Sequence, residues 1–228
     1  MKILFPHIVL DLFHHMTNFI PIFPLNIVAY PGENIHLHIF ETRYKQLITD
    51  CFADKKPFGI PSVINNQVSE LGTLMEIKEI VNVYEDGKMD ISVKGLKVFR
   101  TLELIKSIPD KLFSGAIVNY PKNFESGNAV MMKKVISSIR ELHKLLNVTK
   151  DFKKPDEKLC SYDVAHHAGL SLEEEYELLG LFQELQRLEY LKRHLNKILP
   201  IITGTENLKE KIILNGHFKE LKGFNFDL

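Results

Sequence analysis

The segment FETRY, residues 40–44, places a carboxylate and a guanidinium two positions apart. Such a pair could serve as an acid and its charged partner in catalysis. Residues two apart on a helix point away from each other, so we expect Glu41 to reach Lys45 and Arg43 to bind neighbouring backbone carbonyls. Structural ion pairs are also commoner than catalytic ones. The segment therefore favours a scaffold role.

Two pairs of histidines could bind a metal. His36 and His38 lie on one face of a predicted strand, where they could supply two ligands. The sequence shows no third ligand, and ten histidines make chance pairs common. The adjacent His166 and His167 receive the same interpretation. We predict no metal site and no cofactor, and we expect these histidines on solvated or hydrogen-bonded faces.

Cys160, Asp163 and His167 fall on one face of a predicted helix and resemble a nucleophile with its acid and base. A rise of about 1.5 Å per residue places Cys160 and His167 roughly 10 Å apart, beyond hydrogen-bond reach. The histidine could then not take the thiol proton. The motifs G-x-S-x-G, H-E-x-x-H and C-x-x-C do not occur in the sequence. We predict no catalytic residues and no enzyme activity.

The composition is ordinary for a globular protein, and its balanced charge does not favour a strongly charged partner. Lysine plus arginine and aspartate plus glutamate number 29 each, and 45% of the 228 residues are apolar. No net field attracts nucleic acid or an acidic membrane surface, so both are disfavoured as partners. Cys51 and Cys160 are the only cysteines, which fits a reducing cytosol. No stretch approaches the roughly 20 apolar residues of a membrane span, so we expect a cytoplasmic protein.

The elements that position these residues begin with a strand, a turn, a second strand and a helix. Ile35, Leu37 and Ile39 alternate with polar residues after the Pro31-Gly32 turn, which is the pattern of a half-buried strand. The period then changes to that of an amphipathic helix. The apolar face of this helix consists of Phe40, Tyr44, Leu47, Ile48 and Cys51.

Turn signals divide the next segment into further strands. The Asn65-Asn66 pair marks one turn, and Asp86-Gly87 suits the positive φ angles of a tight hairpin. Gly95 is predicted to mark a bulge or bend. The predicted strands are residues 57–64, 68–71, 74–83, 89–93, 96–104 and 116–120.

After Pro121 the strand pattern gives way to helical periods. An aromatic tail follows Gly216 and either docks on the protein itself or offers an apolar patch to a partner. Three helices are predicted over residues 128–147, 161–168 and 206–214.

A capping box at Ser171 and Glu174 is predicted to start one long helix, which ends before Pro200. We expect its leucine stripe to pack on the helix at 128–147, with a homodimer interface as the alternative. The stripe consists of Leu178, Leu181, Leu185, Leu188, Leu195 and Leu199.

Three ordered segments resemble the N-terminal substrate-binding domain of Lon protease: PIFPLNIVAYPGENIHLHIFETRY, LGTLMEIKEI and DGKMDISVKGLKVFR. The segment EEEYELLGLFQELQRLEYLKRHL resembles the helical bundle that follows in that family, so the resemblance covers about residues 19–199. It implies a PUA-like β-barrel or folded sheet, followed by helices, that engages unfolded or tagged proteins. The residues that match the family's structural motif are Pro24, Pro31, Gly32, Phe40, Glu41, Arg43, Tyr44, Gly72 and Gly95.

The sequence also departs from a full Lon protease, which carries an ATPase module and a serine-lysine protease module after this domain. The phosphate-binding motif G-x-x-x-x-G-K-[ST] does not occur in the 228 residues. The chain therefore resembles the stand-alone bacterial members of the family, which have the recognition domain alone.

These observations predict an α+β protein in which a PUA-like sheet domain is followed by a small helical bundle. The predicted function is a non-enzymatic module that binds unfolded or extended polypeptides as an adaptor or regulator of proteolysis, with a protease as a further partner. RNA or nucleotide binding by a PUA-like fold is the alternative, and an unrecognised hydrolase is a third hypothesis. The predicted parts are an N-terminal extension at 1–18, a β-rich subdomain at 19–121, a helical bundle at 122–200 and a C-terminal helix with a docked tail at 201–228.

Overall fold

The computed structural model describes residues 18–204, in which strands form the first half and helices the second. The predicted N-terminal extension, the helix at 206–214 and the aromatic tail lie outside the described residues. The strands are β1 (Asn18–Pro21), β2 (Asn34–Ile39), β3 (Phe58–Ile64), β4 (Gln67–Val83), β5 (Met89–Ile105) and β6 (Gly115–Asn119). The α-helices are α1 (Thr42–Asp54), α2 (Ala129–Leu145), α3 (Ser161–Val164), α4 (Leu172–Leu179) and α5 (Glu184–Ile198). Short 3-10 turns lie at Asp156–Lys158, Ala165–His167 and Leu199–Gly204.

Within residues 18–204, six antiparallel strands form one sheet in the order β1-β6-β5-β4-β3, and β2 pairs with the first part of β5. Two isolated parallel bridges, from Ile22 to Gly59 and from Leu25 to Ser62, bring the segment after β1 against β3. The sheet is folded but is not closed into a regular barrel. The predicted α+β class, a folded sheet with helices, is confirmed.

The hairpin turns are those that the sequence indicates, but the strands are longer. Asn65 and Asn66 have φ angles of 50° and 61°, and Gly87 has φ of 74°. The strands predicted separately at 68–71 and 74–83 are one strand, β4, because Gly72 pairs with both neighbouring strands. β5 is likewise continuous through the bulge predicted at Gly95, where the register against β4 shifts.

Helix α1 buries four of the five residues that its periodicity predicts, whereas Phe40 precedes the helix and is only partly buried. Tyr44, Leu47, Ile48 and Cys51 are buried against the inner face of the sheet. The helix ends at Lys55, which adopts a left-handed conformation with φ of 53°. The short connection from β2 therefore leads directly into the helix that covers this part of the core.

The long helix predicted from Ser171 to Leu199 is wrong, because the structure breaks it into α4 and α5. The capping box at its start is confirmed, with Ser171 and Glu174 each accepting from the other's backbone N–H. The break follows from tertiary pairing: Phe124 donates its N–H to the carbonyl of Phe182 and accepts from the N–H of Glu184. Residues 181–183 are thereby held out of helical geometry.

The leucines of the predicted stripe are divided by this break. Leu188 and Leu195 of α5 are fully buried in the core that includes α2, so packing on that helix is confirmed for them, and Leu178 of α4 is buried in the same core. Leu185 is 46% exposed and takes no part in that core. Within residues 18–204, none of the helices has the length and apolar composition needed to cross a bilayer.

The largest hydrophobic core is shared by the sheet and the helices. Val28, Tyr30, Leu71 and Val98 from the β-rich half are buried in the same cluster as the apolar faces of α2, α4 and α5. Hydrogen bonds reinforce this contact, since Tyr30 Oη donates to the Glu175 carbonyl at 3.0 Å. A second cluster lies between α1 and the sheet. The helices therefore complete an interior that the sheet begins.

Candidate functional site

The Pro31-Gly32 turn docks directly on strand β5. The N–H of Gly32 donates to the Gly95 carbonyl at 2.9 Å, and the N–H of Gly95 donates to the Glu33 carbonyl at 2.8 Å. Gly32 has φ of 82°, a conformation that favours glycine. A Cβ atom on Gly95 would overlap the carbonyl oxygen of Tyr30. The turn approaches the strand this closely because residue 95 has no side chain.

Four other motif residues lie in the packing of the sheet. Pro24 and Tyr44 are buried, and Phe40 is partly buried. Gly72 lies where β4 crosses the ring of Phe99, which a Cβ atom would meet at 2.6 Å. The structural role of these residues stays a prediction. Their burial and close contacts are those expected of residues that pack the core.

Glu41 and Arg43 form an ion pair at the start of α1. Arg43 Nη2 donates to Glu41 Oε2 at 2.7 Å, and Nε donates to the same oxygen at 3.1 Å. The expectation that these side chains point apart is wrong, because Glu41 is the N-cap residue with extended φ and ψ of −72° and 134°. Lys45 donates to the Asp86 carbonyl at 2.9 Å, which ties α1 to the β4–β5 turn.

A histidine between two carboxylates joins the sheet to the helices. His166 Nδ1 lies 2.8 Å from Glu175 Oε1, and Nε2 lies 3.3 Å from Glu33. Glu33 also accepts from the backbone N–H of Tyr30 at 3.0 Å. Burial alone would lower the pKa of His166, but the negative charges of Glu33 and Glu175 outweigh it and raise the pKa to about 10. An imidazolium therefore bridges the two halves at neutral pH.

We expect the stabilisation from this histidine to disappear in alkaline solution. Because its pKa rises from 6.5 to about 10 on folding, the contribution is complete below pH 6.5 and is lost as the pH rises through 10. Urea unfolding of the parent should give a free energy that falls across this range, and His166→Gln should flatten the fall. The exposed His36→Gln serves as the control and should keep the parent's slope. An unchanged slope in His166→Gln would contradict the assignment.

A buried ion pair organises the start of α5. Arg187 Nη2 donates to Glu184 Oε2 at 2.8 Å, and both side chains are almost fully buried. Arg187 also donates to Ser161 Oγ at 2.8 Å, to Asn123 Oδ1 at 2.8 Å and to the Leu181 carbonyl at 2.6 Å. One guanidinium therefore holds three separate segments. Sequence reasoning missed it, and its one local signal is the Glu-Arg spacing of three within a helix.

Cys160, Asp163 and His167 do not form a nucleophilic site. Cys160 caps α3, and its Sγ donates to Asp163 Oδ2 at 3.3 Å. Burial raises the pKa of the Cys160 thiol to about 11 and lowers the pKa of His167 to about 3. The His167 ring packs on Phe152 with centroids 4.9 Å apart. The thiol remains protonated at neutral pH and is a poor nucleophile.

His38 pairs with a carboxylate on the neighbouring strand. Its Nδ1 lies 2.7 Å from Asp90 Oδ1, and the other oxygen of Asp90 accepts from Tyr84 Oη at 2.6 Å. His36 is exposed and lies opposite Ser92. In the part of the chain that the structure describes, no three histidine, cysteine, aspartate or glutamate side chains form a group that could hold a metal ion.

The second half of β4 is a sheet edge poorly suited to adding a strand. β3 pairs with β4 as far as Met75, and among residues 18–204 no strand covers the outer side of the segment from Glu76 to Val83. Its register against β5 shifts twice, and Lys78 and Glu79 are exposed along it. Bulges and charged side chains of this kind block edge-to-edge pairing.

A shallow groove on the outward side of α5 is the stronger candidate for binding. Its volume is about 360 Å³, at the low end for ligand sites. Tyr190 Oη donates to Glu177 Oε2 of α4 at 2.8 Å, which fixes the ring between the two helices. The side chain of Phe124 is exposed, and its backbone bonds to Phe182, the neighbour in sequence of the lining residue Leu181. The groove is lined by Leu181, Leu185, Gln186, Glu189, Tyr190 and Arg193.

Comparison with known proteins gives consistent results. A family model described as the ATP-dependent protease La (LON) substrate-binding domain matches residues 20–197. The crystal structure of a Lon N-terminal domain protein from Xanthomonas campestris is similar with a TM-score of 0.59 and 22% identity, covering 77% of this chain and 98% of that one. The N-terminal domain of a Lon protease from the Mycobacterium avium complex is similar with a TM-score of 0.56 and 12% identity, covering 78% of this chain and 98% of that one. The two structures share the fold, and the family model spans most of the sequence, so the chain belongs to the family of LON substrate-binding domains.

Proposed function

We propose that this protein is a non-enzymatic module that binds unfolded or extended polypeptides, called clients below, in the groove along α5. The family's description as a substrate-binding domain supports recognition as the activity. The single observation that carries the location is the half-exposed Leu185 beside the fixed ring of Tyr190. Apolar side chains held at a rigid surface bind their partner at a small cost in conformational entropy.

The chemistry of the groove suits clients of varied sequence. Leu181, Leu185 and the ring of Tyr190 offer apolar contact, which is not directional. Glu189 and Arg193 lie on its wall and present one charge of each sign. Neither sign dominates, so the groove favours exposed apolar segments over strongly acidic or basic ones. Such segments are exposed in unfolded proteins and buried in folded ones.

We further propose that client binding serves proteolysis in the cytoplasm, with this protein acting as an adaptor or regulator for a protease. Its family relationship to a protease's recognition domain is the support for this role. Binding to a protease would bring a captured client to the catalytic enzyme. Cross-linking in native cytosol, followed by treatment with RNase, tests the partner class. Recovered protease subunits and unfolded proteins would support the role, whereas loss of the captured material on RNase treatment would favour RNA binding.

Leu185→Asp is expected to weaken client binding several-fold. Losing a partly buried leucine contact removes less than the roughly 2 kcal/mol of a fully buried one, and a carboxylate in an apolar contact adds a desolvation penalty. The measurement is the dissociation constant for a reduced, carboxymethylated protein, obtained by fluorescence anisotropy with the full chain.

Val81→Asp is the matched control, because Val81 is 55% exposed on β4 and takes no part in the groove. It introduces the same charge at a similarly exposed apolar position and should leave the dissociation constant unchanged. Thermal unfolding of both variants checks that the fold is retained. Equal affinities of the two variants for the client would place the binding site elsewhere.

A further inference from the structure

We propose that residues 205–228 of this chain fold back and occupy the α5 groove, so that the C-terminal segment competes with clients for the same surface. The competition rests on the proposed function, whereas the docking itself does not. Three features support this docking: the point where the described chain leaves the helical half, the length of the remaining segment, and the complementarity between its side chains and the groove.

The described chain ends beside the helix that carries the groove. After α5, the 3-10 turn Leu199–Gly204 keeps Ile202 buried in the helical core. The side chain of Ile201 is 59% exposed, so apolar surface continues beyond the end of the helix. The exit point is therefore anchored on α5, and its position relative to the groove is fixed.

The reach of the remaining chain exceeds the distance it must cover. Leu185 and Ile198 are about 20 Å apart along the axis of α5, at 1.5 Å per residue. The segment from Thr205 to Leu228 can span about 80 Å when extended and about 36 Å when helical. In either conformation the segment is long enough to reach the groove.

The side chains of this segment complement the groove. Phe224, Phe226 and Leu228 alternate with Asn225 and Asp227, so an extended conformation presents three apolar side chains on one face. The whole segment carries four lysines and four acidic residues and has no net charge that would oppose docking. A groove that has apolar contacts and both signs of charge on its walls fits a neutral aromatic segment.

Tethering makes this segment an effective competitor. A ligand joined covalently to the protein that carries its site has an effective concentration on the order of 1 mM. A segment with an intrinsic dissociation constant of about 0.1 mM would then fill the groove about nine-tenths of the time. Client binding would be weakened about ten-fold, so that only polypeptides with strongly exposed apolar segments displace it.

Photochemical cross-linking in the full chain tests the docking. Leu185→p-benzoylphenylalanine is expected to cross-link, under ultraviolet light, to the segment 218–228. Mixing light and isotope-labelled chains before illumination separates links within a chain from links between chains. The control Val81→p-benzoylphenylalanine should give no link to this segment. Absence of a link from position 185 to the segment, or links that join only different chains, would overturn the proposal.

A binding measurement tests the competition. The double variant Phe224→Ser/Phe226→Ser is expected to bind the carboxymethylated client about ten-fold more tightly than the parent. An unchanged affinity together with no link within the chain would overturn the docking and leave the proposed function standing. Links within the chain without client binding by any variant would support the docking and overturn the proposed function.

Discussion

Replacing Arg187 with methionine is expected to lower the free energy of unfolding by about 3–5 kcal/mol. The guanidinium is 1% exposed and pairs with Glu184, whose side chain is 4% exposed. Methionine keeps most of the volume but leaves the Glu184 carboxylate without its buried countercharge. It also removes the donors that satisfy Asn123 and the Leu181 carbonyl. Urea unfolding followed by circular dichroism measures the loss.

Arg140→Met is the matched control. Arg140 also makes two hydrogen bonds of 2.8 Å to one carboxylate, that of Asp156, but its side chain is 57% exposed. Ion pairs in water contribute little, so the expected loss is below about 1 kcal/mol. The same chemical change is thus compared at a buried and at an exposed position. Similar losses in the two variants would show that burial of the Arg187 network does not govern its contribution.

Gly95→Ala is expected to lower the free energy of unfolding by about 3–5 kcal/mol. The added Cβ atom overlaps the Tyr30 carbonyl oxygen, so the turn that contains Gly32 must move away from β5. Overpacking costs about 1–3 kcal/mol, and each of the two hydrogen bonds between the turn and Gly95 contributes about 1 kcal/mol. Because Tyr30 also belongs to the shared core, the movement disturbs the helices as well.

Gly87→Ala separates steric overlap from the general cost of replacing a glycine. Gly87 has φ of 74° in the β4–β5 turn, and the nearest atom to an added Cβ is Lys45 Nζ at 3.6 Å, an ordinary van der Waals distance. Only the left-handed backbone opposes alanine there, at about 1–2 kcal/mol. In chemical unfolding, the free energy of unfolding of Gly95→Ala should be clearly lower than that of Gly87→Ala. The reverse order would contradict the close approach of turn and strand.

Sequence reasoning succeeded where the signal is local. The Asn65-Asn66 and Asp86-Gly87 turns follow from the φ angles that these residues tolerate, and they fix the hairpins on either side. The capping box at Ser171 is decided by residues three apart. The face of α1 follows from its period, because one side of a helix beside a sheet must be buried. The strand-to-helix order follows from these signals together.

Sequence reasoning failed where a distant segment decides the local structure. Gly180, the C-cap of α4, is the one local signal of a helix end between Ser171 and Leu199, and the break at 181–183 is completed by backbone pairing with Phe124. The face of α5 that is buried contains Leu188, Leu191 and Leu195 and leaves Leu185 exposed, against the prediction that Leu185 belongs to the packed stripe. The candidate groove could therefore not be located from the leucine pattern.

The charged sites likewise depend on structure that the sequence pattern does not show. Glu33 and His166 are far apart in sequence, and no periodicity relates them. Glu41 and Arg43 are close in sequence, but their pairing depends on an extended N-cap residue that the helical rule does not describe. In both cases the side chains meet because backbone geometry outside regular elements brings them together.

The hydrophobic interior shared by the sheet and the helices limits how this domain can be exchanged between proteins in evolution. Val98 on β5 and Ile139 on α2 belong to one cluster, so neither half has a complete hydrophobic interior without the other. Recombination that exchanged the helices alone would expose apolar surface on both products and favour their aggregation. The sheet and the helices are therefore expected to move between proteins together, as one unit.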